Sequence, residues 1–415
     1  MPVEFQPAFF YCFYHPSGLE FHFIEILFRI TSSHLRLRSP KLKETIRNLF
    51  FYLRPMRIGF DAKRIFQNAT GLGNYSRTVV KNLTECYPDN QYFLFTPTSR
   101  HRHPFEAIQN THLVVGKGSV WRSFGIRKDI ARNQIDVYHG LSNELPFSIN
   151  KIDIKTVVTI HDLIFEHFPH HYPGVDRKVY DVKSKFAVNN ADVIIAASES
   201  TRLDIIKFYE ADEKKIKVIY QNCDDIFYST HNYQLNYNLP SEYILYVGSI
   251  TERKNILAIC KAYSLLDKHK RVPCVLVGNG GTYSTQVKEF LAENHLENYF
   301  IFLENVPTEH LPQLYKNALC FIYPSLYEGF GIPVLEAMVS GCPVITSMRS
   351  SLPEVGGTAA WYIDPEAPAD IADKLMAVIS SSDVRREMIN SGSEQIKKFE
   401  KKKIAKEMMD AYSGI

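Results

Sequence analysis

Two glutamates eight positions apart, Glu328 and Glu336, bracket the run Gly329-Phe330-Gly331-Ile332-Pro333. The apolar residues 320–323 before them read as a strand, and Pro333 marks the first turn of a helix, where its missing N–H costs nothing. A strand passing through a glycine-containing loop into a helix aims the amides around Phe330, Gly331 and Ile332 out of a positive helix end that suits a phosphate. A carboxylate on each side of an anion site suits a ligand with hydroxyls on both sides of its phosphates. A nucleotide sugar has that layout. Two Glu at this spacing arise by chance about once or twice in a chain this long, so the strand–glycine–proline–helix context carries more than the spacing.

Other side chains fit the same ligand. Arg253 and Lys254 follow the strand-like run 243–247 and precede an apolar-periodic helix from Asn255. Arg can meet a diphosphate through paired N–H groups and Lys as a point charge. As a merely solvated pair they would oppose the helix dipole. His161-Asp162 ends the run 156–160 and fits either a satisfied, half-buried pair or a contact to a donor sugar. Gly71 and Gly73 suit a turn, and equally a close approach of backbone to phosphate. Gly248 and Gly278 each close a strand, while Asn143, Ser198 and Asn222 fit loop or cap positions as well as a cleft lining.

The elements that must position these groups are legible from Met56 onward. Short β-branched runs at 56–61, 92–96, 111–115, 137–139, 156–160, 192–196 and 216–219 alternate with helix-length segments such as 175–190. That alternation implies βα units on a parallel sheet. It pauses in the polar stretch 228–240 and restarts with strands at 243–247, 273–277, 299–303, 320–323 and 344–346. The fold class is therefore α/β, with two Rossmann-like parallel-sheet domains. The candidate residues fall where strands end, the edge that forms the ligand crevice of an open parallel sheet, so two such edges facing each other make a cleft. The domain bounds are 56–235 and 236–395, followed by a final helix over 396–415; the end of the chain, 383–412, is helical in period and rich in lysine and glutamate. Residues 1–55 are aromatic-rich without a settled period, and Met56-Arg57-Ile58-Gly59-Phe60-Asp61 resembles the opening strand of an α/β enzyme, so 1–55 reads as an extension or a misassigned start.

Composition excludes several classes. With 48 basic against 45 acidic residues there is no global field for nucleic acid, and no nucleic-acid partner is expected. The clusters Arg36, Arg38, Lys41, Lys43 and Lys397, Lys398, Lys401, Lys402, Lys403 fit solvated helix faces or a local patch for the cytoplasmic membrane surface. Seven cysteines without ligand spacing suit buried thiols in a reducing cytoplasm. The stretch 21–30 is interrupted by His22, Glu25 and Arg29 and falls short of the roughly 20 residues a bilayer span needs. No basic region precedes it, so no signal peptide is read. No G-x-G-x-x-G follows a strand with an acidic residue about 20 positions on, which sets hydride transfer aside. His101, His103 and the histidines of 167–171 lack carboxylates at ligand spacing, so no metal site is expected.

The stretch 323–338 resembles the E-x7-E signature of family 4 glycosyltransferases, which have the GT-B fold. Val247-Gly248-Ser249-Ile250-Thr251-Glu252-Arg253-Lys254-Asn255 resembles that family's G-x-x-x-x-R-K-N segment. Leu276-Val277-Gly278-Asn279-Gly280-Gly281 resembles its next glycine turn and Gly71-Leu72-Gly73-Asn74-Tyr75 its N-terminal glycine loop. The similarity runs from Met56 to the C-terminus, and 56–97, 139–146 and 191–200 resemble mannosyltransferase-like members that build bacterial surface polysaccharides.

The resemblance implies retaining transfer of a hexose from a nucleoside-diphosphate sugar to a glycan or lipid-linked acceptor, without metal or other cofactor. It assigns Arg253 and Lys254 to the leaving diphosphate, Glu328 to the sugar hydroxyls, Glu336 to the nucleotide ribose and His161 to the flank of the transferred sugar. It gives Gly71, Gly73, Gly248, Gly278, Phe330, Gly331 and Ile332 to substrate binding. It also implies that residues 396–415 cross back to the N-terminal domain. A GT-B-fold sugar-nucleotide epimerase and a non-catalytic glycan-binding relative are the alternatives.

Overall fold

The computed structural model describes residues 54–414 except 69, 98–104, 106, 119, 230–232 and 234. The expectations for residues 1–53, including the basic cluster at 36–43, lie outside the described residues. Met56–Ile415 forms a compact unit of its own.

Within it, β1 (Arg57–Asp61), β2 (Gln91–Thr96), β3 (Thr111–Val115), β4 (Val137–Gly140), β5 (Lys155–Ile160), β6 (Val193–Ala196) and β7 (Ile216–Val218) form one sheet in the order β3-β2-β1-β4-β5-β6-β7. A second sheet holds β8 (Ile244–Val247), β9 (Cys274–Val277), β10 (Phe300–Leu303), β11 (Cys320–Tyr323), β12 (Val344–Ser347) and β13 (Trp361–Ile363), in the order β10-β9-β8-β11-β12-β13. All strand pairs are parallel. Central strands such as β4, β8, β9 and β11 are buried at every position, as expected where helices cover both faces of a parallel sheet. Each order reverses once, between β1 and β4 and between β8 and β11, and those switch points open the crevices where ligands bind.

Three sequence expectations change. Gly71 and Gly73 do not lie in a loop: they form the first turn of the helix Gly71–Cys86. The Asn68 side chain accepts from the amides of Thr70 and Gly73, at 2.8 and 3.2 Å, and so organises that helix start. A Cβ at Gly73 would stand 1.8 Å from the Asn68 carbonyl oxygen, so only glycine lets the chain double back there. β13, three residues at a sheet edge, is not read from the sequence. The helical stretch 383–412 breaks at Glu400, whose ψ of 136° is extended, giving helices Ser382–Gln395 and Lys401–Ser413.

The helix Lys401–Ser413 lies on Gly71–Cys86 in the first lobe. Its Tyr412 hydroxyl is 2.7 Å from His139 Nδ1, His139 Nε2 is 2.8 Å from Thr159 Oγ1, and Tyr75 OH is 3.0 Å from that same Oγ1. Burial pushes His139 down to about 3, so this packed network is neutral.

Candidate active site

β11 delivers the chain to Ser325 and Glu328, and Gly331, at φ 110°, starts the helix Ile332–Val339. Beyond β8, Glu252–Lys254 forms a single 3₁₀ turn, stopped by Asn255 in the left-handed region at φ 60°. Asn255 Nδ2 donates to the carbonyls of Pro324 (3.3 Å) and Pro365 (2.7 Å), and the Leu326 amide donates to Arg253 O (2.9 Å). The two loops are thereby sewn into one surface.

On it, three donors converge on a single oxygen. Glu328 Oε1 accepts from Lys254 Nζ at 2.6 Å, Arg253 Nη1 at 3.0 Å and Ser325 Oγ at 2.5 Å. Arg253 also donates to Tyr327 O and Lys254 to the Tyr323 hydroxyl. Burial alone would raise the Glu328 carboxyl, but Lys254 and Arg253 overcome it and hold the group down at about 2. Glu328 and Lys254 are each 8% exposed, so the charges are paired because neither could be buried alone. Glu328 Oε2 takes none of these bonds.

His161 stands across from this cluster. Its amide donates to Asn143 Oδ1 (2.9 Å) and its ring Nε2 lies 2.8 Å from Leu141 O, with the Tyr75 ring edge-on at 4.5 Å between centroids. Since a carbonyl only accepts, Nε2 carries the proton. Burial pushes the ring down to about 4, so at neutral pH Nδ1 presents a lone pair. The backbones meet closely: a Cβ on Gly329 would lie 2.1 Å from His161 O, so glycine is required beside Glu328. Thr201 Oγ1 sits 3.1 Å from His161 O and 3.2 Å from Gly329 O, spanning the junction.

Glu336 is not part of the cluster. It faces a separate pocket of about 60 Å³ lined from both lobes, including Gly71, Asn74, Gln221, Asp224 and Ile332. Tyr315 OH donates to Glu336 Oε2 at 3.1 Å, yet burial foremost, with Asp224 nearby, raises this carboxyl to about 7. Gly71 and Ile332 thus join Glu336, whereas Gly248 and Gly278 end β8 and β9 with backbones in contact. The Phe330 side chain is turned away, tilted against Tyr220 at 5.9 Å and edge-on to Phe399 at 5.7 Å, so it can serve a ligand through its backbone alone. Ser198 caps the helix Glu199–Tyr209, and Asn222 lines the pocket while accepting from Asn82 at 2.7 Å.

Sequence reading missed Asn74, Gln221, Asp224, Tyr315 and the serines around Glu328. Ser350 Oγ is 2.8 Å from the Glu328 amide, and Ser351 Oγ donates to Glu328 O at 2.9 Å. Polar residues on distant elements carry no local signal of such convergence.

The family model for glycosyltransferase family 4 matches residues 70–224, and the model for glycosyl transferases group 1 matches residues 228–395. The O-antigen chain mannosyltransferase B of Escherichia coli is 28% identical over 86% of this chain and 99% of its own length. The serotype-specific mannosyltransferase WbdA, also of E. coli, is 31% identical over 64% of this chain, which spans about a third (34%) of that larger protein. Among solved structures, HepE of Anabaena in complex with UDP superposes with a TM-score of 0.66 at 16% identity, over 87% of this chain and 100% of the other. Two parallel sheets facing across a pocketed cleft, with both halves matched in order, make the chain a member of the family 4 glycosyltransferases of GT-B fold.

Proposed function

We propose that the protein is a retaining hexosyltransferase of surface-polysaccharide or lipopolysaccharide biosynthesis. It moves a hexose, mannose by likeness to its relatives, from a nucleoside-diphosphate sugar to a hydroxyl of a glycan or lipid-linked acceptor. The observation that carries the reading is the convergence of Arg253 and Lys254 on Glu328 beside the start of the helix Ile332–Val339, with His161 opposite.

The transition state of such a transfer is an oxocarbenium ion separating from a diphosphate. Donors preorganised toward that developing charge give the largest rate gain. Arg253 and Lys254 supply them, and the dipole of the following helix adds to them. Glu328, kept ionised by that pair, accepts from donor-sugar hydroxyls through Oε2, and the His161 Nδ1 lone pair accepts from another. Glu336 takes the ribose hydroxyls in its own pocket. The C–O bond from sugar to phosphate breaks, the acceptor oxygen bonds to the same face of the anomeric carbon, and the departing phosphate oxygen takes the acceptor's proton. This reading needs no enzymic nucleophile and no cofactor.

The test is release of nucleoside diphosphate across a panel of UDP-, GDP- and dTDP-sugars, with Glu328→Gln as control and the product anomer read by NMR. Turnover of one donor, lost in the variant, with retained configuration supports the reading. Inverted product would remove the retaining assignment. Silence on every donor, together with no donor binding by calorimetry, would point to a non-catalytic relative.

A further inference from the structure

The crevice at the β1/β4 switch point of the first lobe is lined by charge. Asp61 ends β1, and Glu144 lies in the loop beyond β4. Arg122, from the π-helical turn Trp121–Gly125, bridges them. Its Nε and Nη2 donate to Asp61 Oδ2 at 2.8 and 2.5 Å, and its Nη1 to Glu144 Oε2 at 2.7 Å. Lys183 donates to the same Glu144 oxygen at 3.2 Å. Both carboxylates are thereby engaged by cations of the fold.

Two further cations stand here without such a partner. Lys63 and Arg64 open the short helix Lys63–Gln67 just beyond β1, and both are half-buried. Neither side chain makes a hydrogen bond or ion pair among the described residues. Their segment is nevertheless pinned in place, because Arg77 Nη1 donates to Ile65 O at 3.0 Å and to Asn68 O at 2.9 Å. Burial first, and then Arg122, pushes the Lys63 ammonium down, with Arg64 adding to the effect. The His161 ring, pushed down by burial foremost, also feels Arg64, so the pair lies toward the cleft edge where His161 stands. Lys63, Arg64, Arg122 and Lys183 thus gather about Asp61 and Glu144, leaving two positive charges unmatched. Half-buried like charges repel one another, and a preorganised excess of this kind draws an anion.

Charge and place identify that anion. A carboxylate would match half of the excess, whereas a phosphate monoester or a diphosphate linkage carries about two negative charges. An Arg fork with a Lys beside it suits several phosphate oxygens at once. The donor's diphosphate is met from the second lobe by Arg253 and Lys254 in the proposed function, and Lys63 and Arg64 do not line the pocket of Glu336. The acceptor is then the substrate left to bring an anion to the first lobe. We infer that Lys63 and Arg64 bind a phosphate group on the acceptor, so that the sugar accepting the hexose is one joined to phosphate rather than part of a neutral glycan. This deepens the proposed function and rests on it.

The full chain, with the donor that turns over, is given octyl glycosides of glucose, mannose, galactose and N-acetylglucosamine, and the same sugars linked to octanol through a diphosphate. Lys63→Met and Arg64→Met, which keep an aliphatic stem, are compared with the parent after matching for melting temperature. In kcat/KM the parent should favour a diphosphate acceptor over its neutral counterpart by about tenfold or more, the scale of a charge-assisted contact. Each substitution should cut that ratio about tenfold, and Lys63→Arg should keep most of it. An unchanged ratio in the variants, or a parent that prefers neutral glycosides or an octyl glucuronide, overturns the inference. A loss of nucleoside-diphosphate affinity in the variants, read by calorimetry, would give the pair to the donor and overturn it equally. If no donor turns over, the proposed function fails and the acceptor role with it; weaker binding of inorganic pyrophosphate by Lys63→Met/Arg64→Met than by the parent would then leave the anion site standing, and equal binding would remove it.

Discussion

Glu354, in the second lobe, caps a helix of the first: its two carboxylate oxygens accept from the amides of Glu199 (2.7 Å) and Ser200 (2.9 Å), at the start of Glu199–Tyr209. The same helix grips the loop that carries Glu328. The Tyr327 hydroxyl donates to Asp204, which also pairs with His167 Nε2 at 2.9 Å, and Thr201 reaches Gly329 O. A carboxylate at a helix N-terminus satisfies orphan amides and the dipole together, so the joining of the lobes here is tied to the placement of Glu328.

Glu354→Ala should therefore favour the open cleft. A lost cap costs about 0.5–2 kcal/mol, so kcat should fall severalfold to about thirtyfold while donor affinity changes little. Glu354→Gln, which keeps one acceptor oxygen, should fall between. Small-angle scattering with bound donor tests this: a variant as compact as the parent would contradict the latch.

Arg253→Ala and Lys254→Ala should each lower kcat tenfold or more, the scale of a lost charge-assisted contact to the leaving group. Steady-state kinetics at saturating donor decides, and near-parental turnover in both would remove the leaving-group account. Stability separates the roles. Glu328 is held at about 2 against a usual 4.5, so its pairing contributes above pH 4.5 and fades as pH falls toward 2. Glu328→Gln should flatten that part of the acid-unfolding curve.

His161 is predicted to stay neutral, since burial pushes it to about 4. kcat/KM should then show no His161 limb between pH 5 and 8, the range where an unperturbed histidine titrates. A donor analogue lacking the hydroxyl that meets Nδ1 should lose turnover in the parent and lose no more in His161→Ala. A pH limb in that range abolished by His161→Ala would contradict the neutral state assigned to the ring.

Glu336 titrates at about 7 against a usual 4.5, so between those values the folded protein holds a proton the unfolded chain has released. Stability should fall as pH rises across this window, and Glu336→Gln should remove the slope. Ribose hydroxyls prefer the ionised carboxylate, so nucleotide binding should tighten from pH 6 to 8 in the parent and stay level in the variant. Calorimetry across that range gives the answer.

Much of this molecule is local and was therefore readable. Strands β1 to β12 announce themselves as short β-branched runs because buried parallel strands must be apolar throughout. Pro333 after Gly331 announces a helix start because few other residues fit there. The identities of Glu328, Arg253, Lys254 and His161 as polar residues beyond strand ends followed from the same alternation, and Glu336 from the helix start that Pro333 marks.

What the sequence alone determined was the order of βα units, the family likeness and which polar residues stand at the sheet edges, all of which depend on neighbours a few positions apart. Tertiary structure decided that Arg253 and Lys254 close on Glu328 some 75 residues away, that Glu336 faces a different pocket, that Phe330 turns inward and that Glu354 caps a helix of the other lobe. Those facts depend on how two sheets are oriented in space, and Coulomb and hydrogen-bond energies read distance in space, to which distance along the chain is no guide.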